Sequence, residues 1–205
     1  QITDHMPSEL KDFPFVKPDL IEYVSNDGLE IPAFLYRPND IGDGKTPLVI
    51  YARANTKGLH VRGFYPYIQY WVHLGYTVIA PQVRGSAGLG KQYEFLNYGD
   101  WGGGDIDDFA YGAYYLAEKG LIDLNKEVMQ GGSTGGYFVL AMTFRYPDLL
   151  SAAVCFYGPP DLVDMYHISS GAGLPDAVDV VGGDRGGPDM APEHWQGRSP
   201  IYNLD

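Results

Sequence analysis

Short apolar runs and helix-length segments alternate along most of the chain. Apolar residues recur with a period of two over 21–25 and 29–36, and the turn Asn26-Asp27-Gly28 between them predicts a β-hairpin. Further strands are predicted at 48–51, 76–80, 127–130 and 152–157, and helices at 65–74, 105–119 and 137–146. This alternation predicts an α/β fold, in which a mostly parallel sheet carries helices on both faces and the hairpin adds antiparallel strands at one edge.

The regular pattern begins only at Leu20. Residues 1–19 contain Pro7, Pro14 and Pro18 and show no clear period, so they are interpreted as a linker or a tail from a preceding domain. Residues 20–205 are interpreted as belonging to one domain, because a chain of 205 residues has the length of a single domain.

Charge narrows the range of partners. The chain has 26 acidic and 14 basic residues, which gives a formal net charge of −12 at pH 7. Nucleic acid and anionic membrane surfaces bind proteins with a surplus of Lys and Arg, so neither is expected as a partner. No apolar run reaches the roughly 18 residues of a membrane span. These features leave the cellular compartment open.

The sequence predicts no metal site and no cofactor. A single cysteine, Cys155, excludes an intramolecular disulfide and a cysteine-rich zinc site. The acidic residues Asp105, Asp107 and Asp108 lack the spacing of a calcium loop and are interpreted as a solvated helix start, where the helix dipole favours acids. The histidines are dispersed and form neither H-x-H nor H-E-x-x-H: His5, His60, His73, His167 and His194.

The run Gly131-Gly132-Ser133-Thr134-Gly135 matches the G-x-S-x-G pattern of a nucleophile elbow. This pattern places a serine hydroxyl on a tight strand-to-helix turn, which only small neighbours allow. A predicted strand precedes the motif and a predicted helix follows it, as the pattern requires. Ser133 is therefore the candidate nucleophile, and the N–H of Thr134 is the first candidate donor to an oxyanion.

A second glycine-rich stretch, Gly85 to Lys91, matches the G-x-x-x-x-G-K pattern of a phosphate-binding loop. Gln92 stands where that loop needs Ser or Thr to bind Mg²⁺, and the following residues do not resemble the start of a helix. The stretch is therefore interpreted as a structured surface loop.

Several further stretches, with the elbow, follow the order and spacing of a known family. Over roughly residues 20–205 the chain resembles the catalytic domain of the prolyl oligopeptidase family of serine peptidases. The stretches that carry the resemblance are Gly75 to Ala80, Arg84-Gly85-Ser86, Tyr98 to Asp105 with Asp108, Gly131 to Tyr137, Arg145 to Asp148, and Ser199-Pro200-Ile201.

The resemblance implies an α/β-hydrolase fold, a mostly parallel sheet that here would lack its C-terminal strands. It also implies hydrolysis of short peptides through an acyl-enzyme on Ser133, and a β-propeller before the catalytic domain. The family has either a His-Gly-Gly-Pro-like turn after its first central strand or a tyrosine there that helps to bind the oxyanion. Here Ile50-Tyr51-Ala52 is followed by Arg53, which becomes the candidate for the second oxyanion donor. The pocket candidates implied by the resemblance are Tyr157, Met165 and Tyr166.

The order of catalytic residues in hydrolases, Ser, then Asp or Glu, then His, leads to a further expectation. In the family both partners follow the Ser-Pro-Ile segment, whereas this sequence stops at Asp205. The chain is therefore expected to be a fragment that lacks the catalytic Asp and His and is inactive alone. Within it, His167 and His194 are the histidines that follow Ser133, and the pairs Asp164/His167 and Asp189/His194 are in a formally suitable order.

Two other functions remain open at the level of sequence. An esterase would use the same elbow, would need no propeller and would tolerate many oxyanion turns. A hydrolase-like binding module without activity is the other alternative, which the altered turn at Arg53 favours and the intact elbow opposes.

Overall fold

The computed structural model describes residues 7–39, 41, 44–53, 58–170 and 178–204. In the described residues six strands form one sheet, in the order β1-β2-β4-β3-β5-β6. The strands are β1 (Asp19–Val24), β2 (Glu30–Tyr36), β3 (Thr46–Ala52), β4 (Thr77–Pro81), β5 (Ile122–Gly132) and β6 (Ala152–Phe156). The α-helices are α1 (Pro66–His73), α2 (Lys91–Glu94), α3 (Gly104–Glu118), α4 (Thr134–Arg145), α5 (Leu162–Ser170) and α6 (Pro192–Arg198). None of the helices within the described ranges combines the length and apolar character that crossing a membrane requires.

The strand pairing confirms the predicted α/β class. β3 pairs in parallel with β4 and β5, and β5 pairs in parallel with β6. β1 and β2 form the predicted antiparallel hairpin, and β2 joins β4 antiparallel, so the hairpin extends one edge of the sheet. Gly28 has a φ of 89° in the hairpin turn, a conformation that glycine adopts without strain.

Helices cover both faces of the sheet. On one face α3 and α4 pack on the strands and form the larger core, to which Ile50, Met129, Phe109 and Val139 belong. On the other face α1 packs through Ile68 and Val72 onto a smaller cluster. Central strands that are buried on both sides are apolar throughout, which is why β4 could be predicted from its composition.

Two of the predicted elements have bounds in the structure that differ from the prediction by three residues or more. β5 begins at Ile122, five residues before its predicted start, because the polar stretch 123–127 still extends the strand. α4 begins at Thr134 and not at residue 137, since its first turn is built from small residues that pack closely on neighbouring backbone. Strand and helix therefore meet directly at Ser133.

The segment predicted to be a linker packs against α1 where it is described. The side-chain amide of Gln69 accepts a hydrogen bond from the N–H of Val16 and donates one to its carbonyl, each at 2.9 Å. The ring of Phe13 lies 5.0 Å from that of His73. These contacts hold the stretch before β1 along the α1 face.

The prediction of a solvated acidic start for α3 is wrong. Asp105 and Asp108 are fully buried, and Asp107 is 8% exposed. Asp108 accepts hydrogen bonds from the Arg84 guanidinium, the shortest at 2.7 Å, and Asp107 accepts one from Arg145 at 2.7 Å. Arginines distant in sequence neutralise these two carboxylates, which allows both to be buried.

Asp105 has no such cation beside it. Its Oδ2 accepts a hydrogen bond from the N–H of Gly102 at 3.2 Å, and its Oδ1 is buried without a partner among the described residues. Burial raises the pKa of Asp105 to about 7, and the nearby charges of Asp108 and Asp100 act in the same direction. The folded protein therefore holds a proton on Asp105 over a pH range in which the unfolded chain has released it.

Asp105→Asn is expected to flatten the pH dependence of stability. At Asp105 the unfolded chain binds fewer protons than the folded protein between pH 3.8 and about 7, so the contribution of this carboxyl to the free energy of unfolding falls as pH rises through this window. The loss amounts to about 4 kcal/mol for a shift of about three pH units. In urea unfolding from pH 4 to 8, the variant should lose this slope and be the more stable protein at pH 8.

A matched control is Asp123→Asn, because hydrogen bonds from Asn125 lower the pKa of Asp123 and give its contribution the opposite sign. An unchanged slope in Asp105→Asn would contradict the assignment of the buried proton to this carboxyl.

Candidate active site

Ser133 lies at the junction of β5 and α4, with a φ of 54° and a ψ of −121°. Apart from glycines, Ser133 and Tyr157 are the described residues with positive φ. Such a backbone conformation costs free energy in an L-residue and persists only where the surroundings impose it. The Ser133 side chain is exposed, so the turn presents its hydroxyl at the carboxyl edge of the sheet.

Backbone contacts hold the turn at Ser133 in this conformation. The N–H of Ser133 donates to the carbonyl of Phe156 at the end of β6, at 2.9 Å. The carbonyl of Ser133 accepts the N–H of Tyr137 at 3.0 Å. The elbow is thereby tied to the neighbouring strand on one side and to the first turn of α4 on the other.

Glycines around Ser133 allow these close approaches. A Cβ on Gly135 would overlap the carbonyl oxygen of Ala52 and lie 2.9 Å from that of Arg53, and a Cβ on Gly131 would overlap the carbonyl of Gly135. These two glycines do not have positive φ in the structure. Close packing of the backbone, and not a special φ, therefore requires glycine here.

Thr134 is the first residue of α4 and is half-buried beside Ser133. The first N–H groups of a helix have no acceptor within the helix, and they carry the positive end of its dipole. The backbone at Thr134 can therefore donate to a negatively charged oxygen next to the Ser133 hydroxyl.

Arg53 directly follows β3, whose last residue Ala52 is in register with Gly131 of β5. The structure therefore brings the backbone of Arg53 close to the elbow, and its role as an oxyanion donor stays a prediction. Its Nη1 is buried and has no hydrogen-bond partner in the described part of the chain.

A cavity of about 220 Å³ opens beside the elbow. It lies between the ends of β3, β5 and β6, and its walls are largely aromatic. The lining side chains and glycines include Tyr51, Tyr67, Gln130, Gly132, Phe156 and Tyr157.

Of the three predicted pocket residues, Tyr157 alone is among the residues that line this cavity. Tyr157 is 82% exposed, and its hydroxyl lies close to Gly132. Met165 is partly buried against the main core, and the ring of Tyr166 lies 5.3 Å from that of Trp195 in α6. The structure thus brings Tyr157 to the elbow and places Met165 and Tyr166 in the packing of α5.

Tyr51 is a site residue that the sequence predictions did not select. It lines the cavity two positions before Arg53, and burial raises the pKa of its hydroxyl while the Arg53 charge opposes the rise. The family tyrosine considered from the sequence stands after this strand, at the position of Arg53, so no signal in the sequence pointed to Tyr51.

No side chain among the described residues hydrogen-bonds the Ser133 hydroxyl, and each described histidine makes its contacts elsewhere. His60 is buried with Nε2 3.1 Å from the Tyr36 hydroxyl, and burial lowers its pKa to about 4. The Nε2 of His194 lies 2.7 Å from the carbonyl of Val181, and the His167 ring packs on Tyr166. The ring of His73 lies 5.0 Å from that of Phe13 in a tilted arrangement, and His5 lies outside the described residues.

The described residues also contain no cluster of three or more His, Cys, Asp or Glu side chains that could bind a metal ion. The groups that the described residues bring to the elbow are a serine hydroxyl, main-chain donors and one arginine. This composition suits attack on a carbonyl group, in which negative charge develops on the carbonyl oxygen.

Comparison with known proteins gives concordant matches. The model of the prolyl oligopeptidase family matches residues 62–205. Dipeptidyl aminopeptidase BIII of Pseudoxanthomonas mexicana is 28% identical over 161 residues, which cover 75% of this chain and 23% of that protein. Dipeptidyl peptidase family member 6 of Caenorhabditis elegans is 25% identical, with 96% of this chain and 30% of that protein covered. The chain thus spans less than a third of the length of either relative.

Solved structures match the fold over the whole chain. The acylaminoacyl peptidase of Pyrococcus horikoshii superimposes with a TM-score of 0.85 at 22% identity, covering 100% of this chain and 33% of that one. A puromycin hydrolase superimposes with a TM-score of 0.82 at 24% identity, covering 98% of this chain and 30% of that one. At these identities the likeness establishes the α/β-hydrolase fold.

Proposed function

The chain belongs to the prolyl oligopeptidase family of serine peptidases, and on that premise we propose that it forms the nucleophile-bearing part of a peptidase that cleaves short peptides through an acyl-enzyme. The observation that carries the proposal is the geometry of Ser133, an exposed serine held at positive φ between β5 and α4. Its relatives named as dipeptidyl peptidases support peptides as the substrate class.

In the proposed mechanism the Oγ of Ser133 attacks the carbonyl carbon of the scissile peptide bond, and a histidine accepts the hydroxyl proton. The tetrahedral intermediate carries its negative charge on the former carbonyl oxygen. The C–N bond then breaks, the histidine returns the proton to the leaving amine, and Ser133 keeps the acyl group. Water, activated by the same histidine, hydrolyses this ester and restores the serine.

The oxyanion is proposed to lie between α4 and the end of β3. The N–H of Thr134 is the first donor, supported by its place at the start of the helix. The second donor comes from the end of β3, where Arg53 follows Ala52 and Tyr51 lines the cavity. Tyr157, Met165 and Tyr166 are proposed to border the pocket for the side chain before the scissile bond, and the position of Tyr157 supports this.

The histidine and the acid that orients it are proposed to come from outside the described residues. The described histidines support this, because each one makes its contacts away from the Ser133 hydroxyl. The edge strand β6 supports it as well, because Ala152, Ala153, Cys155 and Phe156 are exposed. Further strands of a catalytic domain would cover such an apolar edge, and a β-propeller is the proposed neighbouring domain.

The purified 205-residue chain is expected to show no turnover of a dipeptidyl-naphthylamide, because a serine without a base is a weak nucleophile. A longer protein that contains this sequence and the proposed histidine should hydrolyse the same substrate. Residual acceleration from binding and oxyanion donors alone is about 10³–10⁴-fold over water.

The His167→Ala and His194→Ala variants are the controls for this experiment. Turnover by the 205-residue chain that either substitution abolishes would place the base inside this chain. Efficient hydrolysis of p-nitrophenyl esters by the longer protein, without cleavage of naphthylamides, would favour an esterase over a peptidase.

A further inference from the structure

Arg53 lies beside the elbow and differs in its contacts from three other arginines of the described chain. Arg84, Arg145 and Arg198 each donate to an aspartate, at 2.5–2.8 Å. Arg53 has no ion pair in the described residues, and its buried Nη1 has no hydrogen-bond partner there. The chain has 26 acidic residues, and none of those that the structure describes forms an ion pair with the Arg53 guanidinium.

Two titratable side chains on which the charge of Arg53 acts are neutral. The positive charge of Arg53 acts on His60, whose pKa burial lowers to about 4, and on Tyr51, whose pKa burial raises. Both side chains are therefore uncharged near pH 7. No carboxylate among the described residues pairs with this positive charge, and a partly buried charge is stabilised when an anion pairs with it.

The position of Arg53 relates this charge to the scissile bond. Ala52 is in register with Gly131, and the carbonyl of Arg53 packs on Gly135, two residues after Ser133. The backbone of Arg53 is therefore adjacent to the elbow, so an anion bound by its guanidinium would lie within the length of one arginine side chain of this backbone contact.

We propose that Arg53 is a specificity residue that binds a carboxylate of the peptide substrate next to the scissile bond. This inference rests on the proposed peptidase function and adds the chemical class of substrate. It assigns the Arg53 guanidinium to the substrate carboxylate, which leaves Tyr51 as the proposed oxyanion donor from the end of β3. A guanidinium donates two parallel hydrogen bonds to a carboxylate, which gives strong and directional recognition. Peptides supply this group at the C-terminus and in Asp and Glu side chains.

The test compares matched substrates with the active peptidase that contains this chain. One pair is a blocked dipeptide with a free C-terminal carboxylate and the same dipeptide as its amide. The other pair is a peptide amide with Asp or Asn beside the scissile bond. Arg53→Gln is expected to lower the kcat/KM ratio of acid to neutral substrate roughly ten- to hundredfold in one pair, the loss typical of a charge-assisted hydrogen bond. The pair that responds identifies the source of the carboxylate.

Arg62→Gln is the matched control, because Arg62 is an exposed arginine of the same region whose charge reaches Tyr36. It removes the same charge and should leave both ratios within about twofold, as expected for a screened surface charge. Arg53→Lys should recover part of the discrimination. Unchanged ratios for both pairs in Arg53→Gln would overturn the inference.

A second measurement separates this inference from the proposed function and from misfolding. Phenylglyoxal modifies accessible arginines, and succinate is expected to slow its reaction at Arg53 in the unmutated protein, as followed by peptide mass spectrometry. Arg62 serves as the internal reference. If succinate protects Arg53 in a protein that cleaves no peptide, the proposed function is refuted and carboxylate binding is supported. If succinate gives no protection, carboxylate binding is refuted.

Discussion

Replacing Ser133 by alanine is expected to abolish both fluorophosphonate labelling and peptide hydrolysis by the active peptidase. In the proposed site the Oγ of Ser133 is the protein atom that forms a covalent bond with the substrate, so no neighbouring group can replace it. Loss of a serine nucleophile in other hydrolases lowers kcat by a factor on the order of 10⁶. Mass spectrometry of the labelled protein should locate the probe on Ser133.

The fold should survive this substitution, because the Ser133 side chain is exposed and its backbone contacts do not depend on the hydroxyl. Ser151→Ala is a suitable control, since Ser151 is exposed and its Oγ bonds the carbonyl of Asn125 away from the elbow. Labelling that persists in Ser133→Ala, or that is found on Ser86, would remove Ser133 from the role.

Gly135→Ala is expected to cause a large loss of stability for a single added methyl group near the site. The new Cβ would overlap the carbonyl of Ala52 and approach that of Arg53, and neither backbone group can rotate away as a side chain would. The expected cost is about 3 kcal/mol, the upper part of the usual range for overpacking. Fluorophosphonate labelling should fall as well, because α4 must shift relative to β3.

Gly197→Ala makes the matched comparison. Gly197 lies in α6, where a Cβ would contact nothing within 4 Å, so alanine should be neutral or stabilise the helix by up to about 1 kcal/mol. Equal melting temperatures for the two variants would show that the start of α4 is less tightly packed than the structure indicates.

Much of the fold could be predicted from the sequence because local patterns record burial. Strands such as β4, which are buried on both faces, must be apolar throughout, and the hairpin needs the Asn26-Asp27-Gly28 turn. The bounds of α3 agree with the prediction to within one residue, since Gly120 at a φ of 71° ends the helix. β5 was harder, because its polar first half has no strand-like composition.

The motif around Ser133 was also accessible from the sequence. A strand-to-helix elbow tolerates only small residues, and that steric demand is written locally as Gly-Gly-Ser-Thr-Gly-Gly. The interpretation of Ser133 as the nucleophile stays a prediction, and the structure supports it through the positive φ and the exposure of this residue.

The sequence by itself determined the α/β class, the hairpin and the elbow, because each depends on the size and polarity of neighbours along the chain. Only the tertiary structure decided which charged side chains are buried and which are paired. It buried Asp107 and Asp108 against Arg145 and Arg84, residues 24 to 38 positions away in sequence, and left Arg53 beside the elbow without a carboxylate among the described residues. Whether a charge is solvated, paired or available to a substrate depends on which distant segments the sheet brings together, and local sequence carries no record of that.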